Sequence, residues 1–187
     1  MDERDIRWLD DDERSAWLAL VSTVVRLPAA LDAQLRRDAG ISHFEYQVMA
    51  GLSTAPGRTQ RMSDLARCSD GSLSRLSHTV RRLEERGWVR RRADPDDGRC
   101  TLAVLTDDGW EKVAATAPGH VAEVRRLVLD PLTTAQLGQL REIGRRVNEA
   151  IGPDPALPPV PRDASPPTPP SPPTTPGLPH RGTEAPS

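Results

Sequence analysis

Three features of the sequence predict a mainly α fold carrying one small β-hairpin. Apolar residues recur by three and four along three segments: Trp17, Leu20, Val24, Leu27, Leu31, Leu35; Leu73, Leu76, Val80, Leu83; and Leu137, Leu140, Ile143, Val147, Ile151. That is the spacing of one buried stripe on a helix. Only Phe44, Tyr46 and four Trp supply aromatic rings, so the core must rest on Leu, Val, Ile and Ala, which suits helix packing better than a β-sandwich. One basic, β-capable run, WVRRRA, is followed by turn-rich DPDDG and a second strand-like run, TLAVLT, the pattern of a hairpin. The chain has 187 residues, and about 150 globular residues suffice to bury roughly 70% of the unfolded surface.

Taken in order, the first stripe defines a long helix, interrupted by Pro28, which should kink it, and ended by Gly40. Ile41-Ser42-x-x-Glu45-Tyr46 combines a capping box with a hydrophobic staple, so a second helix should start at Ser42 and run to about Ser53. The turn TAPGR ends it. Ser63 is placed to cap a short helix, MSDLARC, and SDGS leads within a few residues into SLSRLSHTVRRLEERGW, a longer one. Two helices joined so tightly form a helix-turn-helix, and the hairpin directly after it is a wing. Thr106 then caps a helix from about Asp107 to Leu129, bent at Pro118-Gly119, and Thr133-x-x-Gln136 opens the last one. The expected architecture is a winged helix-turn-helix with long N- and C-terminal helices and a two-stranded β-wing.

From Pro153 onward, 14 of the 19 prolines fall in 35 residues with almost no large apolar side chains. Such a segment cannot bury enough surface to offset its ordering and is expected to be a disordered tail leaning to polyproline II. Its PxxP spacing suits a proline-reading groove, and a solvated tail without a partner accounts for it as well. The divisions are therefore 1–40, 41–106, 107–152 and 153–187.

Charge is unevenly spread. Residues 1–57 hold 6 basic and 10 acidic groups, residues 58–99 hold 11 Arg against 7 acids, and the remainder holds 8 against 10. The cations thus cluster around the helix-turn-helix and wing. Arg is the residue that recognises phosphate or a guanine edge bidentately. With 24 of 25 basic residues being Arg, a GC-rich genome explains the preference equally well, but not the clustering.

Other classes find little support. The histidines at 43, 78, 120 and 180 match no metal spacing, and there is no C-x-x-C, P-loop or G-x-S-x-G, so neither an enzyme, a metal nor a cofactor is indicated. Cys68 and Cys100 are too few for a secreted disulfide framework, and no basic-then-apolar leader or run of about 18 apolar residues appears, which points to a cytoplasmic protein without a membrane partner. A nearby cation could activate either thiol as a redox switch, and inert packing explains both as well.

The sequence resembles the MarR family of bacterial winged-helix transcription regulators over about residues 12–151. The resemblance is carried by MSDLA, SRLSHTVRRLEERGWVRR, DPDDGR at the wing tip and LTDDG after it. It implies a homodimer whose terminal helices interlock, associated with the bacterial nucleoid, with two lobes reading a pseudo-palindromic double-stranded operator about one DNA turn, roughly 34–36 Å, apart. The second helix of the pair would enter the major groove. Ser72, Ser74, Arg75 and His78 would then read bases, Arg75 best of all, while Arg81 and Arg82 would neutralise phosphate. Ser63 would offer its hydroxyl and backbone N–H to a phosphate. In the wing, Asp97 would orient Arg99 into the minor groove, and Arg91, between Arg90 and Arg92, would flank the backbone. That triplet also suits an edge strand charged against aggregation. Many relatives release DNA when a small aromatic acid or phenol binds between dimer helices and lobe. Trp17, His43, Tyr46 and His120 are the candidates here, although core packing explains each one equally. The implied function is a repressor released by an effector. The alternatives are a ligand or protein sensor that keeps the fold without DNA binding, and the thiol switch.

Overall fold

A computed structural model describes residues 7–68, 73–95 and 97–152. The proposed tail, Ser72 and the SDGS turn lie outside these residues, as does the side chain of Cys68. Among the described residues six α-helices and three short strands follow each other as α1 (Asp11–Ala39), α2 (His43–Thr54), β1 (Thr59–Arg61), α3 (Met62–Cys68), α4 (Leu73–Glu85), β2 (Val89–Ala93), β3 (Thr101–Leu105), α5 (Asp107–Val124) and α6 (Thr134–Ile151).

Local chemistry sets most boundaries. Asp10 and Glu13 form a capping box at the start of α1, and Gly40 ends that helix with φ 67°, a left-handed conformation that glycine adopts without a Cβ penalty. Ser42 and Glu45 cap α2 reciprocally, and Ile41 and Tyr46 are both buried beside them. Thr106 caps α5, and Thr133 with Gln136 caps α6. α1 is helical on both sides of Pro28, and α5 on both sides of Pro118. Beyond Val124 the helix continues as a π-turn over Arg125–Leu129. One expectation needs correction: α3 begins at Met62, so Ser63 is its second residue and not its cap, and its hydroxyl lies 3.4 Å from Asp64 Oδ1.

The wing hairpin is as expected, with Val89 opposite Leu105 and Ala93 opposite Thr101. A third strand, β1, joins it on the other edge of β3, pairing Thr59 with Val104 and Arg61 with Leu102, which makes a three-stranded antiparallel sheet in the order β1-β3-β2. At three residues, β1 is too short for a period-two pattern to reveal.

The core gathers Leu35, Val48, Met49, Leu52, Leu65 and Leu76, among others, where α1's last turns, α2, α3, α4, β3 and α5 meet. α4 buries Leu76, Thr79, Val80 and Leu83. Leu73 is 55% exposed, contrary to its place in the stripe. Helical side chains lean toward the N-terminus, so one on the first residue overhangs the packed turns.

The terminal stripes behave differently. In α1, Leu31 and Leu35 are buried, but Trp17, Leu20 and Val24 are exposed; in α6, Leu140, Ile143, Val147 and Ile151 are exposed. α1 also contains an 18-residue window with mean hydropathy 1.4, enough in length and composition to cross a bilayer. A count of uninterrupted apolar residues misses that window, because Arg26 and scattered Ser and Thr break the run.

Candidate nucleic-acid interface

α4 turns its polar face outward. Ser74, Arg75, His78, Arg81 and Arg82 are all exposed, opposite the buried Leu76, Val80 and Leu83. The arginines, however, have partners within the protein. Arg75 stacks its guanidinium 4.2 Å from the centre of the buried Phe44 ring. Arg82 Nε lies 3.2 Å from Glu45 Oε1, and Glu45 is itself buried at the start of α2. Arg81 faces Glu85 at 3.8 Å, a loose i,i+4 pair worth only a few tenths of a kcal/mol. Ser63, on α3, is exposed.

The wing is held by a small ionic frame. Arg61, on β1, donates through Nε and Nη2 to the buried Asp94 carboxylate at 3.0 and 2.8 Å, which ties the third strand to the base of the turn. Asp97 accepts the backbone N–H of Arg99 at 3.1 Å and the Cys100 thiol at 3.3 Å. Asp97 thus shapes the turn that presents Arg99, and does so through backbone, leaving the Arg99 side chain exposed. Arg91 donates to Glu84 through its backbone N–H at 2.8 Å and through Nε at 2.7 Å, so it joins the wing to α4. Arg90 and Arg92 are exposed on the same strand.

Of the four proposed effector residues, three come together and one does not. The His120 ring lies 4.6 Å from Tyr46 and 5.9 Å from His43, centre to centre, where α1, α2 and α5 converge. Trp17 sits on the exposed part of α1, 14 residues before Leu31, roughly 21 Å further along the axis. Burial pushes the His43 imidazole below its ordinary range, against the opposing charge of Asp32. Burial lowers His120 likewise, and His43 adds to it. His120 Nδ1 is buried without a hydrogen-bond partner. Burial raises the Tyr46 hydroxyl. Of these three, His43 also lines a cleft of about 670 Å³ between α1, α2 and α4, together with Asp32, Arg36, Phe44, Arg75 and Arg82 among others, while Tyr46 and His120 do not reach it.

The thiol reading fares poorly at Cys100. The hydrogen bond to Asp97, followed by burial, raises its pKa, the reverse of what an activated thiolate requires. Among the described residues no group of three or more His, Cys, Asp or Glu is placed to hold a metal ion.

Several structural partners were not read from the sequence. Phe44, Glu45 and Glu84 hold arginines across helix and strand boundaries, where spacing carries no signal. Gly109 had a signal without an explanation: a Cβ there would sit 2.1 Å from the Trp88 carbonyl oxygen, so the glycine of LTDDG is needed for the turn between α4 and β2 to pack on α5.

A three-helix lobe with a winged sheet and an outward basic helix defines a winged helix-turn-helix protein, and comparison with known proteins agrees. The MarR family model matches residues 41–101. A MarR family transcriptional regulator from Streptomyces coelicolor, solved in complex with DNA, is 44% identical with a TM-score of 0.75, covering 80% of this chain and 94% of that one. AbsC, also a MarR family regulator from Streptomyces coelicolor, is 36% identical with a TM-score of 0.72, covering 78% of this chain and 98% of its own. The transcriptional repressor MprA of Escherichia coli is 26% identical over 108 residues, which are 58% of this chain and 61% of MprA. YdcH, an HTH-type transcriptional regulator of Bacillus subtilis, is 32% identical over 80 residues, 42% of this chain and 54% of YdcH. The chain therefore spans between half and two thirds of the length of these two curated relatives. It belongs to the MarR family of transcriptional regulators.

Proposed function

We propose that the protein is a homodimeric, sequence-specific repressor of transcription. Its two α4 helices enter successive major-groove turns of a pseudo-palindromic operator, its wings reach the adjoining minor grooves, and a small aromatic effector releases it. The outward basic face of α4 carries this reading, because Ser74, Arg75, His78, Arg81 and Arg82 gather on one solvent-facing side of the helix, the residue types that meet base edges and phosphates. The regulator from Streptomyces coelicolor crystallised with DNA supports it, as does the name of MprA. The second copy follows from Trp17, Leu20 and Val24 with Leu140, Ile143 and Val147, apolar stripes that one chain leaves uncovered. The three-helix junction of Tyr46, His43 and His120, beside the cleft, is the place for the effector.

The test is binding to an operator selected from randomised duplexes and to its scrambled version at several salt concentrations. Arg75→Ala should cost roughly 1–3 kcal/mol on the operator and far less on scrambled DNA, since a base contact is lost. Arg99→Ala should weaken AT-rich flanks most, because a narrow minor groove concentrates negative potential. If Arg75→Ala weakens both duplexes equally, α4 does not read bases there, and a sensor that keeps the fold without DNA recognition becomes the better account.

A further inference from the structure

Two adjacent residues of α2 grip the outward face of α4. Phe44 lies under the Arg75 guanidinium, and Glu45 faces Arg82. Arg75 and Arg82 are seven residues apart, two turns of helix, and so lie on one side of α4. Glu45 is 4% exposed and its carboxylate is fully used. Oε2 accepts the Ser42 backbone N–H at 2.7 Å and the Ser42 hydroxyl at 2.9 Å, and Oε1 faces Arg82. The same turn is tied to α1, since Asp32 Oδ1 accepts the His43 backbone N–H at 2.8 Å.

We propose that the first turn of α2 is a clamp that sets the recognition helix: Phe44 and Glu45 are positioning residues for base reading, and Arg82 is the post by which Glu45 holds α4. This rests on the DNA-binding reading above. A buried carboxylate left without its cation is costly, so Arg82 is retained by Glu45 and is not free to follow a phosphate. Burial works against the Glu45 charge, but the Ser42 hydrogen bonds and the charges of Arg82 and Arg86 outweigh it and keep the carboxylate ionised. Contact with the Phe44 ring restrains the Arg75 side chain before DNA arrives, so less rotamer freedom is lost when it meets a base edge. The clamp therefore supplies specificity more than raw attraction.

The experiment measures binding of Glu45→Gln, Phe44→Leu and Arg82→Ala to the selected operator and its scrambled version across a salt series. Gln keeps an acceptor at the capping-box position but releases the Arg82 charge. For Glu45→Gln the operator-to-scrambled ratio should fall about tenfold, scrambled DNA should bind more tightly, and the log–log salt slope should steepen by about 0.9 as one guanidinium becomes available to phosphate. Phe44→Leu fills the same space without a ring face. It should lower the ratio about tenfold, on the scale of one rotamer-rich side chain set free, and leave the slope alone. Arg82→Ala should weaken the operator more than scrambled DNA, again at constant slope. The clamp is overturned if Glu45→Gln and Phe44→Leu keep the wild-type ratio and slope. It is equally overturned if Arg82→Ala weakens both duplexes alike and flattens the slope by about 0.9, the mark of a phosphate contact. Circular dichroism monitors folding, and if Glu45→Gln is unfolded, Phe44→Leu and Arg82→Ala decide. A wild-type protein that binds neither duplex overturns the regulator reading itself, which is a distinct result.

Discussion

Within the lobe, Val48, Met49, Leu52, Leu65, Leu76 and Val80 are fully buried, whereas no residue of α6, and none of α1 before Leu31, is more than partly buried. Both regions are helical, and both carry apolar stripes of the same period. The lobe completes its core inside one chain. The terminal helices leave theirs facing outward, although α6 is well formed locally by its cap and by Glu142, which pairs with Arg145 and Arg146. Those ion pairs hold Glu142 down to about 2, but on a partly exposed surface they support the helix without explaining its apolar side. Stripe period thus reports which face of a helix is to be buried, and leaves open whether the covering surface belongs to the same chain.

The sharpest way to break this comparison is to charge the terminal seam. Leu27→Glu or Val147→Glu places an unpaired carboxylate in an apolar interface, at a cost of several kcal/mol. Each variant should become monomeric or unfold, whereas the wild-type protein should sediment as a dimer at micromolar concentration. A wild-type monomer by light scattering would remove the second copy, and the palindromic operator with it.

Next in size is Gly109→Ala, which attacks the lobe from within. Ala is favoured over Gly in a helix by about 1 kcal/mol. Against that, its Cβ would meet the Trp88 carbonyl at 2.1 Å and Leu105 at 2.8 Å, and overpacking against a rigid backbone costs about 3 kcal/mol. The clash wins. Thermal unfolding should fall by roughly 4–8 °C, on the scaling for a domain of this size. An unchanged or raised midpoint would mean that the α4–wing corner yields more readily than its packing implies. This loss should not depend on protein concentration, unlike that of the seam variants.

What the sequence made legible follows the same division between local and distant chemistry. The Ser42–Glu45 and Thr133–Gln136 boxes, the Thr106 cap and the Gly40 terminus are each decided within four residues, and each was read correctly. The outward face of α4 was equally legible, since helical periodicity alone places Arg75, His78 and Arg82 opposite Leu76, Val80 and Leu83. The partners of those residues were not. Arg82 meets Glu45 and Arg61 meets Asp94 across 37 and 33 positions, and no spacing rule connects them before the fold exists. At Pro28 and Pro118 the helices continue on both sides, so the flanking turns outweigh the local cost of one missing N–H.

A smaller effect is expected where His43 and His120 meet, at the packing of α2 on α5. Both imidazoles are held below their ordinary values, chiefly by burial. The folded protein therefore prefers them neutral, and as pH falls through about 6.5 the unfolded chain binds protons first. Stability should be complete above that pH and decline as pH falls toward the folded values. The groups facing the pair include Asp32 on α1, which favours protonating His43, and Tyr46 on α2, which is neutral here. His120→Phe should flatten the decline in urea midpoint between pH 7.5 and 5, while a slope equal to that of the wild type would place the titration elsewhere.

The smallest effect should come from removing residues 153–187. With 14 prolines in 35 positions and few large apolar side chains, this segment has little to contribute to either region's burial. The terminal helices need a covering surface, but PPTPPSPPTTP offers neither a helical stripe nor a strand pattern to supply one. Deletion should therefore leave the sedimentation of the dimer unchanged and alter operator affinity by less than about twofold, under 0.5 kcal/mol. A tenfold loss of affinity with the dimer intact would assign the tail a part in DNA binding. Dissociation of the dimer would instead mean that the tail, and not a second copy, covers the apolar face of α1 and α6.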